Sequence, residues 1–370
     1  MKRAIVCALI AALLLCGIAA AEPAQLPGLQ YDSSMELTYA TGFSVDYYEG
    51  GYKLIDVVDG DRYLVVPEGG AAPEGLDSDI IVLRQPLDRI YLTATSSMAL
   101  FDALGALDSI RLSGTDASGW YVENAVAALN EGRMRFAGKY SEPDYELLVQ
   151  EGCNLSIQST MIYHSPKVKE MIELLGIPVM VERASYESHP LGRTEWIRLF
   201  AALVNKEEEA DTFMRAQIES LAALEGLENT GKTVAFFYVG SDGNPVVRVG
   251  SDYVPKMIEM AGGHYVFDDL MNDESNRSTV SITMEEFYAA AHDADYLVYN
   301  SSIDAPLSDV AGLLGKSQLF SEFKAVREGN VWCTGKYLYQ ATDIVADVIL
   351  DIYRMISGEE SGMKFLYKLN

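Results

Sequence analysis

Aromatic and basic side chains recur together in short segments of this chain. Trp120 and Tyr121 follow Gly119, Lys139 adjoins Tyr140, Tyr163 precedes His164, Arg183 stands three residues before Tyr186, and Arg193 follows. The second half contributes Tyr238, Arg248, Tyr253, Arg277 and Tyr299. Aromatic faces bury planar apolar surface, while a guanidinium pairs with carboxylate or phosphate groups at a rim. Such a set suits a large chelate or macrocycle, with Trp120 and Arg183 as the leading contacts. Tyr238 and Tyr299, at strand ends, fit core or cleft equally. Direct ligation of a metal requires several donors converging. Tyr163 and His164 point apart in an extended segment, which favours a pre-chelated metal over a metal site or cofactor of the protein's own.

Catalytic patterns are weaker. The four histidines, His164, His189, His264 and His292, have no close spacing, so a zinc site is not expected. Val310 to Ser317 imitates a phosphate loop, but Val310 stands where that loop requires glycine. No G-x-S-x-G elbow occurs. Glu285 and Glu286 are consecutive and diverge on a helix, where Thr283 with Glu286 reads as a capping box.

The elements that must position these residues change character along the chain. From Met35 to Leu83 short runs such as Tyr52–Val58 and Arg62–Val66 alternate with glycine turns, which predicts antiparallel strands. After Pro86, strands at 90–93, 110–112, 155–157 and 178–181 alternate with helices at 97–104, 122–130, 144–151 and 167–175. That alternation predicts βαβ units and a largely parallel sheet. Ser165 with Pro166 and Gly176 punctuate one helix, and Ser141 with Asp144 reads as another cap. From 191 to 228 the apolar spacing predicts one helix, about 50 Å long over roughly 35 residues. Trp196 on its stripe reads as packing. The rhythm then restarts, with strands at 233–239 and 295–300 and helices at 253–261 and 341–357. The candidate residues fall in loops after predicted strands, where open α/β sheets hold ligands.

Composition bounds the function. Met1-Lys2-Arg3, an uncharged apolar run and Ala19-Ala20-Ala21 form an export signal over residues 1–21. Cys16 is a candidate lipid anchor, although Leu15 is larger than the usual lipoprotein pattern takes, and cleavage after Ala21 fits better. Loss of Lys2 and Arg3 would bring the formal charge from −26 to −28. So acidic a surface disfavours nucleic acid and anionic lipid as partners. It leaves an anionic small ligand open if a local arginine cluster dominates a pocket. Of four cysteines, Cys7 and Cys16 lie in the signal, and Cys153 and Cys333 are too far apart in sequence to suggest a disulfide framework.

Several segments carry a resemblance. They are Leu87 to Leu92, Met98 to Gly105, Ala137 to Tyr140, His189 to Ile197, Ala261 to Gly263 and Glu328 to Trp332. In order and spacing the chain from Asp88 onward resembles the iron-siderophore, haem and cobalamin class of ABC-importer binding proteins, especially a subgroup common in clostridial bacteria. The resemblance implies an α/β fold of two Rossmann-like lobes joined by one long rigid helix, with ligand in the interlobe cleft. It divides the mature chain into a β-rich N-terminal extension packed on the first lobe (22–86), a first lobe (87–190), a connecting helix (191–228) and a second lobe (229–370). It implies a monomer in the periplasm or at the outer face of the cytoplasmic membrane that delivers a ferric siderophore, corrinoid or haem to an ABC permease with its cytoplasmic ATPase. Permease docking in such proteins uses one acidic residue per lobe; here Met98 or Ala99, near Asp102, and His264 stand at those places. A secreted enzyme or metal-chelating catalyst on the same bilobed scaffold is the alternative.

Overall fold

The computed structural model describes residues 23–271 and 278–370; the expected export signal with Cys7 and Cys16, and Arg277, lie outside them. The first element is a five-stranded sheet of β1 (Tyr31–Ser34), β2 (Phe43–Tyr48), β3 (Tyr52–Val57), β4 (Arg62–Val66) and β5 (Ile80–Arg84). β1 to β4 pair antiparallel, but β5 runs parallel to β4, which corrects the all-antiparallel expectation. The physical reason is the connection. Residues 67–79 return over one face of the sheet, where Ala72 and Leu76 pack with Leu54 and Leu64, instead of forming a hairpin.

Both faces of this sheet are covered. Phe43, Val45, Ile55, Val57, Tyr63 and Val65 share a core with Ile90, Leu92, Trp196 and Phe200. Tyr48, Leu54, Leu64, Val66 and Ile80 point the other way and are covered by Leu26 and its neighbours.

The first lobe follows as β6 (Ile90–Leu92), α1 (Thr95–Ala103), β7 (Ile110–Ser113), α2 (Glu123–Asn130), β8 (Arg135–Phe136), a ribbon of β9 (Gly138–Lys139) and β10 (Glu142–Pro143), α3 (Tyr145–Gln150), β11 (Leu155–Ser159), α4 (Pro166–Leu174) and β12 (Val179–Glu182). Its parallel sheet has the order β12-β11-β6-β7-β8. Strand order reverses between β6 and β11, which opens a crevice beyond their carboxyl ends. Pro166 opens α4, and Gly176 just past its end takes φ +78°. The cap of α3 is Asp144 itself, accepting the Leu147 N–H; Ser141 lies in the ribbon turn.

The connector is helical but segmented into α5 (Pro190–Glu195), α6 (Ile197–Val204) and α7 (Glu207–Leu221). The continuous helix expected over 191–228 is broken at Trp196 and at Asn205–Lys206. Asn205 is left-handed (φ 57°), and the carbonyls of the last α6 turn are taken by the extension. Lys53 Nζ donates to Ala202 O and Asn205 Oδ1 at 2.8 Å, and Gln85 Nε2 donates to Leu203 O. Apolar periodicity could not register this, because the acceptors are backbone and the donors lie far away in sequence.

Two buried carboxylates fix the extension to the connector. Glu195 accepts the backbone N–H groups of Thr38, Tyr39 and Ala40, and Glu187 accepts those of Thr41 and Gly42 together with Trp196 Nε1. Gly192 is required here, since a Cβ would lie 2.9 Å from Tyr39 O.

The second lobe contains β13 (Thr233–Val239), β14 (Pro245–Arg248), α8 (Tyr253–Met260), β15 (His264–Tyr265), β16 (Thr279–Ser281), α9 (Met284–Ala291), β17 (Tyr296–Tyr299), α10 (Val310–Lys316), α11 (Lys324–Glu328), β18 (Val331–Thr334), α12 (Val345–Ser357) and β19 (Leu366–Lys368). Its sheet order is β16-β14-β13-β17-β18-β19, with β15 beside the start of β13. The central strands β13, β17 and β18 are parallel. Thr283 and Glu286 form the capping box, and α10 begins at an Asp309 cap, an ordinary helix start where the sequence imitates a phosphate loop. Buried Asp351 on α12 accepts the N–H groups of Lys364, Phe365 and Leu366, which holds β19 in place.

Candidate functional site

Loops at the carboxyl ends of first-lobe strands meet the second lobe. β7 leads into a turn in which Asp116 accepts the N–H groups of Ser118 and Gly119. Tyr121 N–H then donates to Gln340 Oε1 at 2.8 Å, while Gln340 Nε2 donates to Gly119 O at 2.7 Å. A second-lobe carboxamide thus pairs with first-lobe backbone as a neighbouring strand would. Gln340 is buried at the end of the turn that follows β18, and its Nε2 also reaches Tyr339 Oη. The Tyr121 and Tyr339 rings meet edge to face at 6.4 Å.

A second junction lies at the start of the connector. Arg193 stacks over the Tyr253 ring at 4.1 Å and donates to Ser185 O, and Thr194 Oγ1 donates to Thr342 O at 2.9 Å. Helix α1 packs against the single turn Thr342–Ile344. The space beside Arg193 and Tyr253 is nearly closed, about 20 Å³.

Beside these contacts the lobes leave a hollow of about 380 Å³. Its walls are the rings of Tyr121, Tyr337 and Phe365 and the carboxylates of Asp102, Glu123 and Asp343, with Asn124 and Gln340 between them. That volume lies in the range of small-molecule sites. Asp102 accepts from Asn124 Nδ2 at 2.9 Å. Asp343 has its carboxyl pushed up to about 6, first by burial and then by Asp102 and Asp347.

A larger cavity, about 520 Å³, lies between the extension and α7, lined by Met35, Tyr47, Arg198 and Asp211 among others. It lies beside the ends of β1 and β2 in the N-terminal sheet and shares no lining residue with the interlobe hollow. Part of its charge is engaged, Arg198 with Asp211 and Glu207 with Lys53, while Glu36, Arg215 and Glu219 also line it. The interlobe hollow is the one that lies where open α/β sheets hold ligands, beyond the carboxyl ends of the parallel strands.

The sequence candidates separate into groups. Tyr121 lines the hollow, and Arg193 with Tyr253 forms the neighbouring junction. Tyr163 and Tyr186 are about half exposed, in the loops after β11 and β12. Trp120 is 4 % exposed in the first-lobe core, its indole N–H held by Ser113 Oγ and Thr115 O. Tyr299, the last residue of β17, is wholly buried with its hydroxyl on Asp304. Tyr140 and Tyr238 are half-buried against the cores of their lobes. The cations already have partners. Arg183 contacts Asp59 and covers Tyr186, Arg248 lies 3.5 Å from Asp252, and Lys139 pairs with Glu142. Of the docking positions, Met98 and Ala99 are buried and His264 is exposed beside Asp268.

Sequence reasoning missed Tyr337, Tyr339, Gln340, Asp343 and Phe365. The first three follow β18, and the carboxyl-end rule applied to Val331–Thr334 reaches them. Nothing local marks Asp343 or Phe365, which the chain brings in from beyond that loop.

No protein-family model matches the chain. Solved structures similar to it include the periplasmic haem-binding protein HutB of Vibrio cholerae (TM-score 0.57, 17 % identity, 72 % of this chain and 99 % of that one). An Fe3+-hydroxamate transport protein of Saccharomonospora viridis matches at TM-score 0.55, with 18 % identity over 73 % of this chain and 93 % of that one. The vitamin B12 binding protein BtuF of Vibrio cholerae matches at 0.52, with 14 % identity over 74 % and 98 %. The fold is that of the helical-backbone periplasmic binding proteins.

These structures are covered almost whole, while about a quarter of this chain has no counterpart in them. Two uncharacterized lipoproteins of Methanocaldococcus jannaschii align over 90 % of it, at 26 % and 25 % identity, and are covered to 82 % and 86 % of their length.

Proposed function

We propose that this chain is the extracytoplasmic solute-binding component of an ABC importer. It captures a metal chelate (a ferric siderophore, corrinoid or haem) between its lobes and delivers it to a membrane permease driven by a cytoplasmic ATPase. The observation that carries the reading is the interlobe hollow of about 380 Å³, walled by three aromatic rings beyond the carboxyl ends of both sheets. Large apolar side chains left in solvent support it. Tyr121, Met161, Tyr163, Tyr186, Ile303 and Tyr339 are all exposed, and each follows the end of a strand. Similarity to lipoproteins favours Cys16 as a membrane tether, in spite of Leu15.

The test is equilibrium titration of the mature chain, by fluorescence quenching, against a ferric siderophore, haemin and cobalamin. One class should bind one to one at micromolar or tighter concentration and be recovered unaltered. Steady conversion of the chelate to a product would replace a receptor with a catalyst.

A further inference from the structure

The hollow is acidic, and among its lining residues no lysine, arginine or histidine occurs. Asp102, Glu123 and Asp343 approach it from α1, the start of α2 and the turn before α12. The neighbouring cations do not change this balance. Lys364 is drawn to Asp347, and Lys336 is exposed beyond the lining. Arg183, Arg193, Arg248 and Lys139 are each occupied by a carboxylate, a carbonyl or an aromatic face. An anionic ligand entering here would meet three carboxylates and no cation in the lining itself, with Lys336 standing outside it next to Tyr337.

Aromatic rings together with carboxylates recognise organic cations, because ring faces and anionic oxygens both attract positive charge. The whole molecule acts in the same sense, since a formal charge of −26 draws cations toward its surface and repels anions.

Resting on the importer reading, we infer that the captured chelate carries positive charge, as an amine or as net charge on the complex, and that this charge seats among Tyr121, Tyr337, Phe365, Asp102, Glu123 and Asp343. The site discriminates against anionic chelates of the same size. Anionic siderophores, and haem with free propionates, are therefore poor ligands.

The test compares three pairs of probes that share a scaffold and differ in charge. They are an iron(III) trihydroxamate with a free terminal amine against the same chelate succinylated, aquocobalamin against cyanocobalamin, and an amine-bearing amide of haemin against haemin itself. Each is titrated onto the full mature chain. In whichever scaffold binds, the more positive member should bind about tenfold tighter or more. Asp343→Asn and Glu123→Gln should each shrink that ratio, and Glu68→Gln, an exposed change on the extension, should leave it alone. Equal or tighter binding of the less positive member overturns the inference and leaves the importer reading standing. Binding of none of the six overturns both.

Discussion

Replacing Glu195 strands three backbone donors at once, because its carboxylate accepts the N–H groups of Thr38, Tyr39 and Ala40 while 1 % exposed. Glu195→Ala is expected to cost about 3 kcal/mol or more in urea unfolding, and Glu195→Gln less, since one acceptor oxygen remains. Asp343 sets a pH dependence of the opposite kind to most carboxylates. Its folded value of about 6 lies above the ordinary 3.8, so between those limits the folded state holds a proton that the unfolded chain has released. Stability therefore falls as pH rises from about 4 to about 6 and is level above that. Asp343→Asn should raise Tm clearly at pH 7 and little at pH 4 by calorimetry; equal shifts at both would remove the burial argument. Neither residue was legible as important. A carboxylate in a long acidic sequence looks like solvated surface until the fold supplies the backbone it reads or the ring that covers it.

Elements were more legible than their joints. Strands at 110–113, 155–159 and 233–239 and the capping box at Thr283 follow from periodicity and cap chemistry, which are local. The break between α6 and α7 is not local, since it depends on Lys53 reaching Ala202 O from another sheet. Lys53→Met should lower stability by about 2 kcal/mol, because Glu207 and two carbonyl-type acceptors lose their donor together. Gln340 joins the turn after β18 to the segment before α2 by two hydrogen bonds. Gln340→Ala should weaken chelate binding about tenfold and widen the interlobe distance distribution measured by paired spin labels. A mutant with native affinity and an unchanged distribution would reduce Gln340 to a bystander.

At the scale of the whole molecule, the N-terminal sheet is part of the first lobe's interior. Phe43, Val45, Ile55 and Val57 belong to the same core as Leu92, Trp196 and Phe200. A chain begun at residue 87 should thus lose cooperative unfolding and bind a hydrophobic dye in its apparent folded state, as circular dichroism and dye fluorescence would register. The bilobed plan was legible because strand–helix alternation repeats over long stretches. The chemistry of the site was legible only in part, because an adjacent Trp and Tyr such as 120 and 121 look alike in sequence and end on opposite sides of a wall.

The clamp on residues 38–42 also sets an order in time. These amides find their acceptors at Glu187 and Glu195, between 145 and 157 residues later in the chain. At ribosomal speeds that interval is roughly 10–30 s. For all of it the first sheet has an uncovered face and five unanswered amides, so it cannot finish folding ahead of the rest. The proposed passage through a membrane pore from the N-terminus requires a loose chain, and this topology leaves the first sheet incomplete until the middle of the chain has been made.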